Sequence, residues 1–166
     1  MRFFGLFVLA VLTAVLFAFP ATANAVSVAA TINGGGTAIM DPGQSDFGLG
    51  GLTAFGIHAT LYSDHTAQGH VNCVDQSGST FAGNIFGEVT SWEGDLDGTV
   101  ILHVTGKLVV IPGGLDNSNQ QFTVRIQQFG GAVVGHWTLS IPDGAGGEFN
   151  ICFETLVSGQ LVMRRS

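Results

Sequence analysis

Positive charge is scarce in this chain of 166 residues. Lys and Arg together number 5, against 12 Asp and Glu, and the formal net charge at pH 7 is −7. Lys107 is the only lysine, and the basic residues form no patch beyond Arg164-Arg165. Because an acidic surface repels phosphate backbones and anionic lipid headgroups, this composition argues against nucleic acid as a partner.

Motifs of the common enzyme classes are also missing. The sequence has neither HExxH nor a Walker loop, and the segment Gly43-Gln44-Ser45-Asp46-Phe47 lacks the closing glycine of a nucleophile elbow. The glycines at 34–36 follow a predicted strand, but no helix opens after them, so they predict a turn and no phosphate site. We therefore assign no catalytic residue and expect no cofactor.

The long apolar run of the sequence lies at its N-terminus. Arg2 precedes an uncharged segment from Phe3 to Phe19, Pro20 follows, and Ala23-Asn24-Ala25 has the small-x-small pattern of a cleavage site. Residues 1–25 are predicted to be a signal peptide in helical form, which makes the remainder a secreted, periplasmic or envelope protein. The alternative is a retained anchor, in which case the chain contacts the membrane only through this segment.

Beyond residue 25 no segment has a helical period, and residues 26–166 are predicted to form a single β domain. Runs rich in Val, Ile, Thr and Phe alternate with period two, and glycine-containing turns separate them. The predicted strands are Val26–Ile32, Thr37–Met40, Thr53–Tyr62, Gly69–Asp75, Thr80–Trp92, Thr99–Ile111, Gln121–Gln128, Ala132–Ile141 and Phe149–Met163. The expected fold is an all-β, antiparallel β-sandwich or β-barrel of about 8–10 strands.

The alternation also predicts which side chains form the core. One face of each later strand is apolar, and the set comprises Val100, Leu102, Val104, Leu108, Val110, Phe122, Val124, Ile126, Val133, Trp137, Leu139, Ile141, Phe149, Ile151 and Phe153. Aromatic residues of opposite parity either lie on the surface, where they could stack on sugars or dock partners, or form a second core face: Tyr62, Phe86, Trp92 and Phe129.

The chain contains two cysteines, Cys73 and Cys152. In an exported protein an even pair favours a disulfide, and each cysteine lies in a predicted strand. The spacing fits neither a CxxC redox site nor a zinc knuckle. We predict a Cys73–Cys152 disulfide, with two buried thiols as the alternative.

Four predicted strands each carry a histidine on their polar face, at a position that alternates with the apolar residues: His58, His70, His103 and His136. If the sheet closes with this face inward, the imidazoles would line a pocket and could hold a ligand, bind a metal or transfer protons. If the face is solvated, they are ordinary surface residues.

Two turns carry groups that metals use. Asp64 and His65 lie between His58 and His70, and histidine with carboxylate suits zinc. Glu93, Asp95 and Asp97 precede Gly98 and offer oxygen ligands at every second residue, as calcium requires. Neither spacing matches a standard site, and solvated turns are the alternative in both cases.

Part of the chain resembles a group of secreted bacterial β proteins without assigned activity. The resemblance extends over roughly residues 33–141 and rests on Gly34-Gly35-Gly36-Thr37-Ala38, Phe47-Gly48, Phe55-Gly56 and Ala67-Gln68-Gly69-His70-Val71-Asn72-Cys73. The chain departs from the group at its end, where the acidic, glycine-rich pattern is reduced to Pro142-Asp143-Gly144. The resemblance implies secretion and a β-sandwich or β-barrel, and it transfers no activity and no site residue.

These observations predict a non-enzymatic exported domain that acts as a binding or structural module, with a protein or carbohydrate as the possible partner. One alternative is a small-ligand-binding or enzymatic β-barrel that uses the histidine-bearing face. The other is an extracellular module that binds zinc or calcium.

Overall fold

The protein is a closed antiparallel β-barrel. The computed structural model describes residues 25–44, 51–76, 83–110 and 115–166, with the backbone only at residue 110 and residues 115–117. Its eight strands are β1 (Val28–Met40), β2 (Leu52–Tyr62), β3 (Thr66–Asp75), β4 (Gly83–Gly94), β5 (Val100–Val110), β6 (Leu115–Phe129), β7 (Gly135–Pro142) and β8 (Glu148–Arg165). Each strand pairs with the next, and β8 pairs with β1. The barrel alternative of the predicted fold is therefore confirmed.

The predicted signal helix covers residues 1–25, of which residues 1–24 lie outside the described residues. The assignment of residues 26–166 to one β domain depends on that segment and stays a prediction. Among the residues that the structure describes, none belongs to an apolar helix of the length that a membrane crossing needs.

The interior of the barrel is filled by apolar side chains. Successive residues of a strand point to opposite faces, so every second residue faces inward. The largest fully buried side chains include Trp137, Phe122, Ile32, Leu61, Ile85, Leu102, Ile126, Leu139 and Leu161. This confirms most of the core that alternation predicts on β5, β6 and β7, since eight strands enclose a space just wide enough for side chains to fill.

The glycines at 34–36 lie inside β1, so the prediction of a turn between two short strands is wrong. Gly36 stands opposite Gly159 of β8. A Cβ atom on Gly36 would come within 2.1 Å of the Ser158 carbonyl oxygen. A residue without a side chain is therefore needed where β1 meets β8, and the glycines serve close strand approach.

A β-bulge in β4 reverses the predicted position of Trp92. The register between β4 and β5 shifts between Val89 and Ser91, which leaves Thr90 as an extra residue. Trp92 consequently faces inward and is buried, and its Nε1 donates a hydrogen bond to the Tyr62 carbonyl oxygen at 2.9 Å. Trp92 thereby packs inside the end of the barrel at which the β2–β3 and β4–β5 turns lie.

A second register shift changes the core face of β8. The pairing of β7 with β8 shifts between Leu139 and Ser140, and the inward side chains are Cys152, Glu154 and Leu156. The core prediction for Phe149 is wrong, since its side chain is exposed, and those for Ile151 and Phe153 hold only in part, since both are partly buried against the core. Val133 is also wrongly assigned to the core: it lies in the β6–β7 turn with φ of 62° and is exposed.

The barrel wall is indented where β4 and β5 face each other at Gly87 and Gly106. A Cβ atom on Gly106 would lie 2.1 Å from the Phe86 carbonyl oxygen and 2.4 Å from the Gly87 Cα atom. Both of these neighbours belong to the backbone, which cannot move aside as a side-chain tip can. The two strands therefore approach closely only because residue 106 has no side chain.

We expect Gly106→Ala to lower the free energy of unfolding by about 1–3 kcal/mol, because the added methyl group overpacks the strand pair. Urea unfolding followed by circular dichroism measures the change. Gly98→Ala is the matched control, because a Cβ atom on Gly98 would meet nothing within 4 Å, and its effect should stay within about 0.5 kcal/mol. Equal stability of the two variants would contradict the close approach.

Candidate functional site

The outer face of the barrel carries a row of polar side chains that crosses six neighbouring strands. Cross-strand partners in successive strand pairs place them side by side, from β1 to β6: Asn33, His58, His70, Glu88, Thr105 and Gln121. The adjacent row contains Asn72, Phe86, Lys107 and Ser118 on β3 to β6. Since the inward positions of these strands are apolar, both rows face outward.

A groove of about 540 Å³ lies on the outer face of β3–β6, where these two rows meet. Its polar lining comprises His70, Asn72, Glu88, Thr105, Lys107, Ser118 and Asn119. Phe86 supplies an aromatic ring to the same groove, and 43% of its surface is exposed. The groove therefore combines one exposed ring with amide, hydroxyl, carboxylate and ammonium groups.

The groove follows from the local backbone. Gly87 and Gly106 contribute to its lining, and neither places a side chain in the space. On β6 the register shifts opposite Gly106 and Lys107, and Asn119, with φ of 61°, is the extra residue. A bulge bends the strand that carries it, so the wall is concave beside the indentation.

Some polar groups of the groove have no partner among the residues that the structure describes. The Asn72 Oδ1 atom is buried and accepts no hydrogen bond. Lys107 and Glu88 form no ion pair or hydrogen bond with the side chains that the structure describes. The Asn72 oxygen lies against Gly56 on β2, so it is Lys107 and Glu88 that offer hydrogen-bonding capacity to a ligand in the groove.

The structure brings two of the four predicted histidines together. His58 and His70 are directly opposite each other on β2 and β3, and their ring centroids lie 5.8 Å apart. His103 on β5 and His136 on β7 lie apart from this pair. All four belong to the outer face, so they do not share the enclosed cavity that an inward-facing histidine lining would form.

His103 and His136 each contact a carboxylate. The Nε2 atom of His103 lies 2.9 Å from Glu93 Oε1, and that of His136 lies 3.1 Å from Asp41 Oδ2. Thr155 Oγ1 donates to Asp41 Oδ1 at 2.9 Å. Because Asp41 takes the hydroxyl proton and the imidazole contact itself, the histidine is not aligned to activate the hydroxyl as in a catalytic triad.

The Asp64–His65 turn has a structural role. Asp64 Oδ1 accepts hydrogen bonds from the backbone amide and Oγ1 of Thr66, and the bonds to Thr66 lower the pKa of Asp64. His65 has φ of 66° and stacks on Trp92 with ring centroids 4.9 Å apart. These contacts hold the β2–β3 turn and keep His65 apart from His58 and His70.

The acidic turn between β4 and β5 is also occupied by protein contacts. Glu93 contacts His103, Asp95 Oδ1 accepts from the Asp97 amide at 2.8 Å, and Asp97 forms an ion pair with Arg165. The three carboxylates therefore take three different partners. Within the described residues, no group of three or more His, Cys, Asp or Glu side chains is arranged to hold a metal ion.

The predicted disulfide is not present. Cys73 and Cys152 are buried free thiols whose sulfur atoms lie 3.8 Å apart, whereas a disulfide requires about 2.05 Å. The prediction correctly expected the two residues to meet, and they do so inside the barrel. The hydrogen bond with Cys73, together with burial, raises the pKa of the Cys152 thiol, so it stays protonated and is a poor nucleophile.

Glu154 is a buried carboxyl group that alternation on β8 does not predict. Its side chain is fully buried, Oε2 accepts from Thr53 Oγ1 at 2.6 Å, and Oε1 has no partner. Burial raises its pKa from 4.5 to about 7, although the hydrogen bonds with Thr53 and Cys152 oppose the shift. The sequence does contain a pattern that places Glu154 on the inward face of β8, because Cys152, Glu154 and Leu156 are alternate residues. The neighbouring aromatic residues alternate in the opposite register and predict the other face.

The chain matches no protein-family model, and no curated protein or solved structure shows significant similarity to it. The resemblance to secreted bacterial β proteins therefore stays a prediction. Function has to be argued from the geometry of this chain alone.

We expect the stability of the barrel to depend on pH through Glu154. The folded-state pKa of about 7 lies above the ordinary value of 4.5, so the folded protein keeps a proton that the unfolded chain has lost. The free energy of unfolding should therefore fall as pH rises from about 4.5 to about 7, by roughly 3 kcal/mol from this group.

Glu154→Gln removes the titration while preserving the shape of the side chain. Unfolding free energies of the wild type and the variant, measured from pH 4.5 to 8, should diverge in favour of the variant as pH rises. Comparing the two proteins cancels the contributions of the other titrating groups. A difference that stays constant with pH would contradict the raised pKa.

Proposed function

We propose that this chain is a non-enzymatic binding module that acts outside the cell or in the cell envelope and holds an uncharged carbohydrate in the groove of β3–β6. The observation that carries the proposal is the exposed ring of Phe86, set beside Glu88 and Lys107, which form no hydrogen bond or ion pair with the described side chains. The extracellular location is supported by the predicted signal segment at residues 1–25.

Phe86 is placed to stack on a sugar ring. It lies between Asn72 and Lys107 in the same row of cross-strand partners. An exposed aromatic ring bordered by hydrogen-bonding groups suits a ligand that has an apolar face and polar edges. A pyranose ring has such an apolar face in its C–H groups and such polar edges in its hydroxyl groups.

The polar groups of the groove match the hydroxyl group in particular. The Glu88 carboxylate accepts hydrogen bonds, the Lys107 ammonium only donates, and the Ser118 hydroxyl does both. A hydroxyl group both donates and accepts, so neighbouring sugar hydroxyls serve all three. The groove presents one cation beside one carboxylate, and the chain carries a net charge of −7, which favours an uncharged glycan over an acidic one.

The packed interior supports binding at the outer wall. The described inward positions carry mainly fully buried apolar side chains, among them Trp137 and Phe122. A protein partner, the other class expected from the sequence, favours a surface whose centre is apolar. The groove has a polar lining around a single ring, and this composition favours a carbohydrate.

We expect Phe86→Ala to weaken binding of an uncharged oligosaccharide by at least about tenfold, equivalent to about 1.4 kcal/mol. Phe149→Ala is the matched control, because Phe149 is also 43% exposed but lies on β8 and outside the groove lining. The ligand is found on an array of uncharged glycans, and isothermal titration calorimetry then gives the affinities of the wild type and both variants.

Equal loss of affinity in the two variants would refute the groove as the site. Failure of the wild type to bind any glycan on the array at millimolar concentration would refute the carbohydrate class. Turnover of a bound glycan would refute the non-enzymatic part of the proposal and favour the enzymatic alternative.

A further inference from the structure

The histidine pair of the outer wall has features that carbohydrate binding does not require. We propose that His58 and His70 form a binding site for a divalent transition-metal ion of the kind that prefers imidazole, such as Zn²⁺, Ni²⁺ or Cu²⁺. The two residues are direct cross-strand partners on β2 and β3. Their ring centroids are 5.8 Å apart, a separation that side-chain rotation adjusts to place one nitrogen of each ring about 2.1 Å from a shared ion.

A hydrogen bond prepares His58 for this role. Its Nδ1 atom lies 2.7 Å from Asn33 Oδ1. An amide oxygen only accepts, so Nδ1 carries the proton and the lone pair is left on Nε2. Metal-binding histidines are commonly oriented in this way, by a partner that holds the nitrogen on the far side of the ring. Asn33 is therefore a positioning residue.

His70 is available on the other side of the pair. It is exposed and forms no hydrogen bond or ion pair with the side chains described in the structure. Its cross-strand partner on β4 is Glu88, whose carboxylate contributes negative charge beside the site. No third His, Cys, Asp or Glu among the described residues completes a ligand set, so water molecules fill the remaining coordination positions of the ion.

The other three histidines provide a contrast. His103 Nε2 contacts Glu93, His136 contacts Gln127 through Nδ1 and Asp41 through Nε2, and His65 stacks on Trp92. Binding a metal at any of them requires an existing contact to be broken or is unsupported by a second imidazole. Within the row of polar side chains, His58 and His70 are therefore the histidines that are placed to bind a metal ion together.

The test uses tag-free purified protein, because an affinity tag of histidines would itself bind the probe. ZnCl₂, NiCl₂ and CuCl₂ are titrated separately by isothermal titration calorimetry into the wild type and the variants H58Q, H70Q and H103Q. We expect one ion per chain in the wild type, at least about tenfold weaker binding in H58Q and in H70Q, and wild-type binding in H103Q. Circular dichroism confirms folding, which exposed positions on the outer wall should tolerate.

The variant Asn33→Leu tests the positioning role separately. It keeps both imidazoles and removes the acceptor for Nδ1, so binding should weaken by about tenfold or more without being abolished. Two results would overturn the proposal: no binding of any of the three ions at millimolar concentration, or binding that both H58Q and H70Q leave unchanged. His70 also lines the carbohydrate groove, whereas His58 and Asn33 do not, so loss of metal binding in H58Q and Asn33→Leu is separate from loss of glycan binding in Phe86→Ala.

Discussion

Pairing between β1 and β8 is the constraint on which the rest of the structure depends. The two strands pair from Ala30 with Arg165 to Met40 with Glu154, with one register shift between Thr37 and Ala38. Their approach is so close that Cβ atoms on Gly36 and Gly159 would each lie within 2.1 Å of a carbonyl oxygen on the opposite strand. By joining the first strand to the last, this pairing satisfies backbone groups that an open sheet would leave at its edges.

Closure of the barrel determines on which face of the sheet the polar side chains lie. An eight-stranded barrel has an interior that side chains can fill, and Trp137, Phe122 and Leu102 occupy it here. The outward positions are then left to residues such as His58 and Lys107. The groove that we propose as the binding site therefore lies on the outer wall, where the backbone of Gly87 and Gly106 forms part of its lining.

Glu154 is a carboxyl group buried inside the barrel, and its surroundings penalise the charged form. A carboxyl group there has little access to water, and the hydrogen bond from Thr53 satisfies only one of its oxygens. Its raised pKa is the consequence, because the neutral form is easier to bury than the charged form. Cys73 and Cys152 are buried in the same interior as free thiols, and their hydrogen bond together with burial raises the pKa of Cys152.

Alternation predicted much of the interior, because the rule that successive side chains point to opposite faces holds along an unbroken strand. It succeeded for Leu102, Phe122 and Trp137. It failed for Trp92 and held only in part for Phe153, in each case in a strand whose register shifts at a bulge. One extra residue exchanges the two faces of a strand, and the sequence beside it alternates equally well in either register.

The sequence by itself determined the all-β class, the deficit of positive charge and the candidate histidines, since these follow from composition and local periodicity. Only the tertiary structure decided that the sheet closes, that His58 meets His70 while His103 and His136 lie elsewhere, and that Phe86 borders a groove. The physical reason is that strand order and register depend on hydrogen bonds between distant segments. Those bonds join backbone groups, which are alike in every residue except proline.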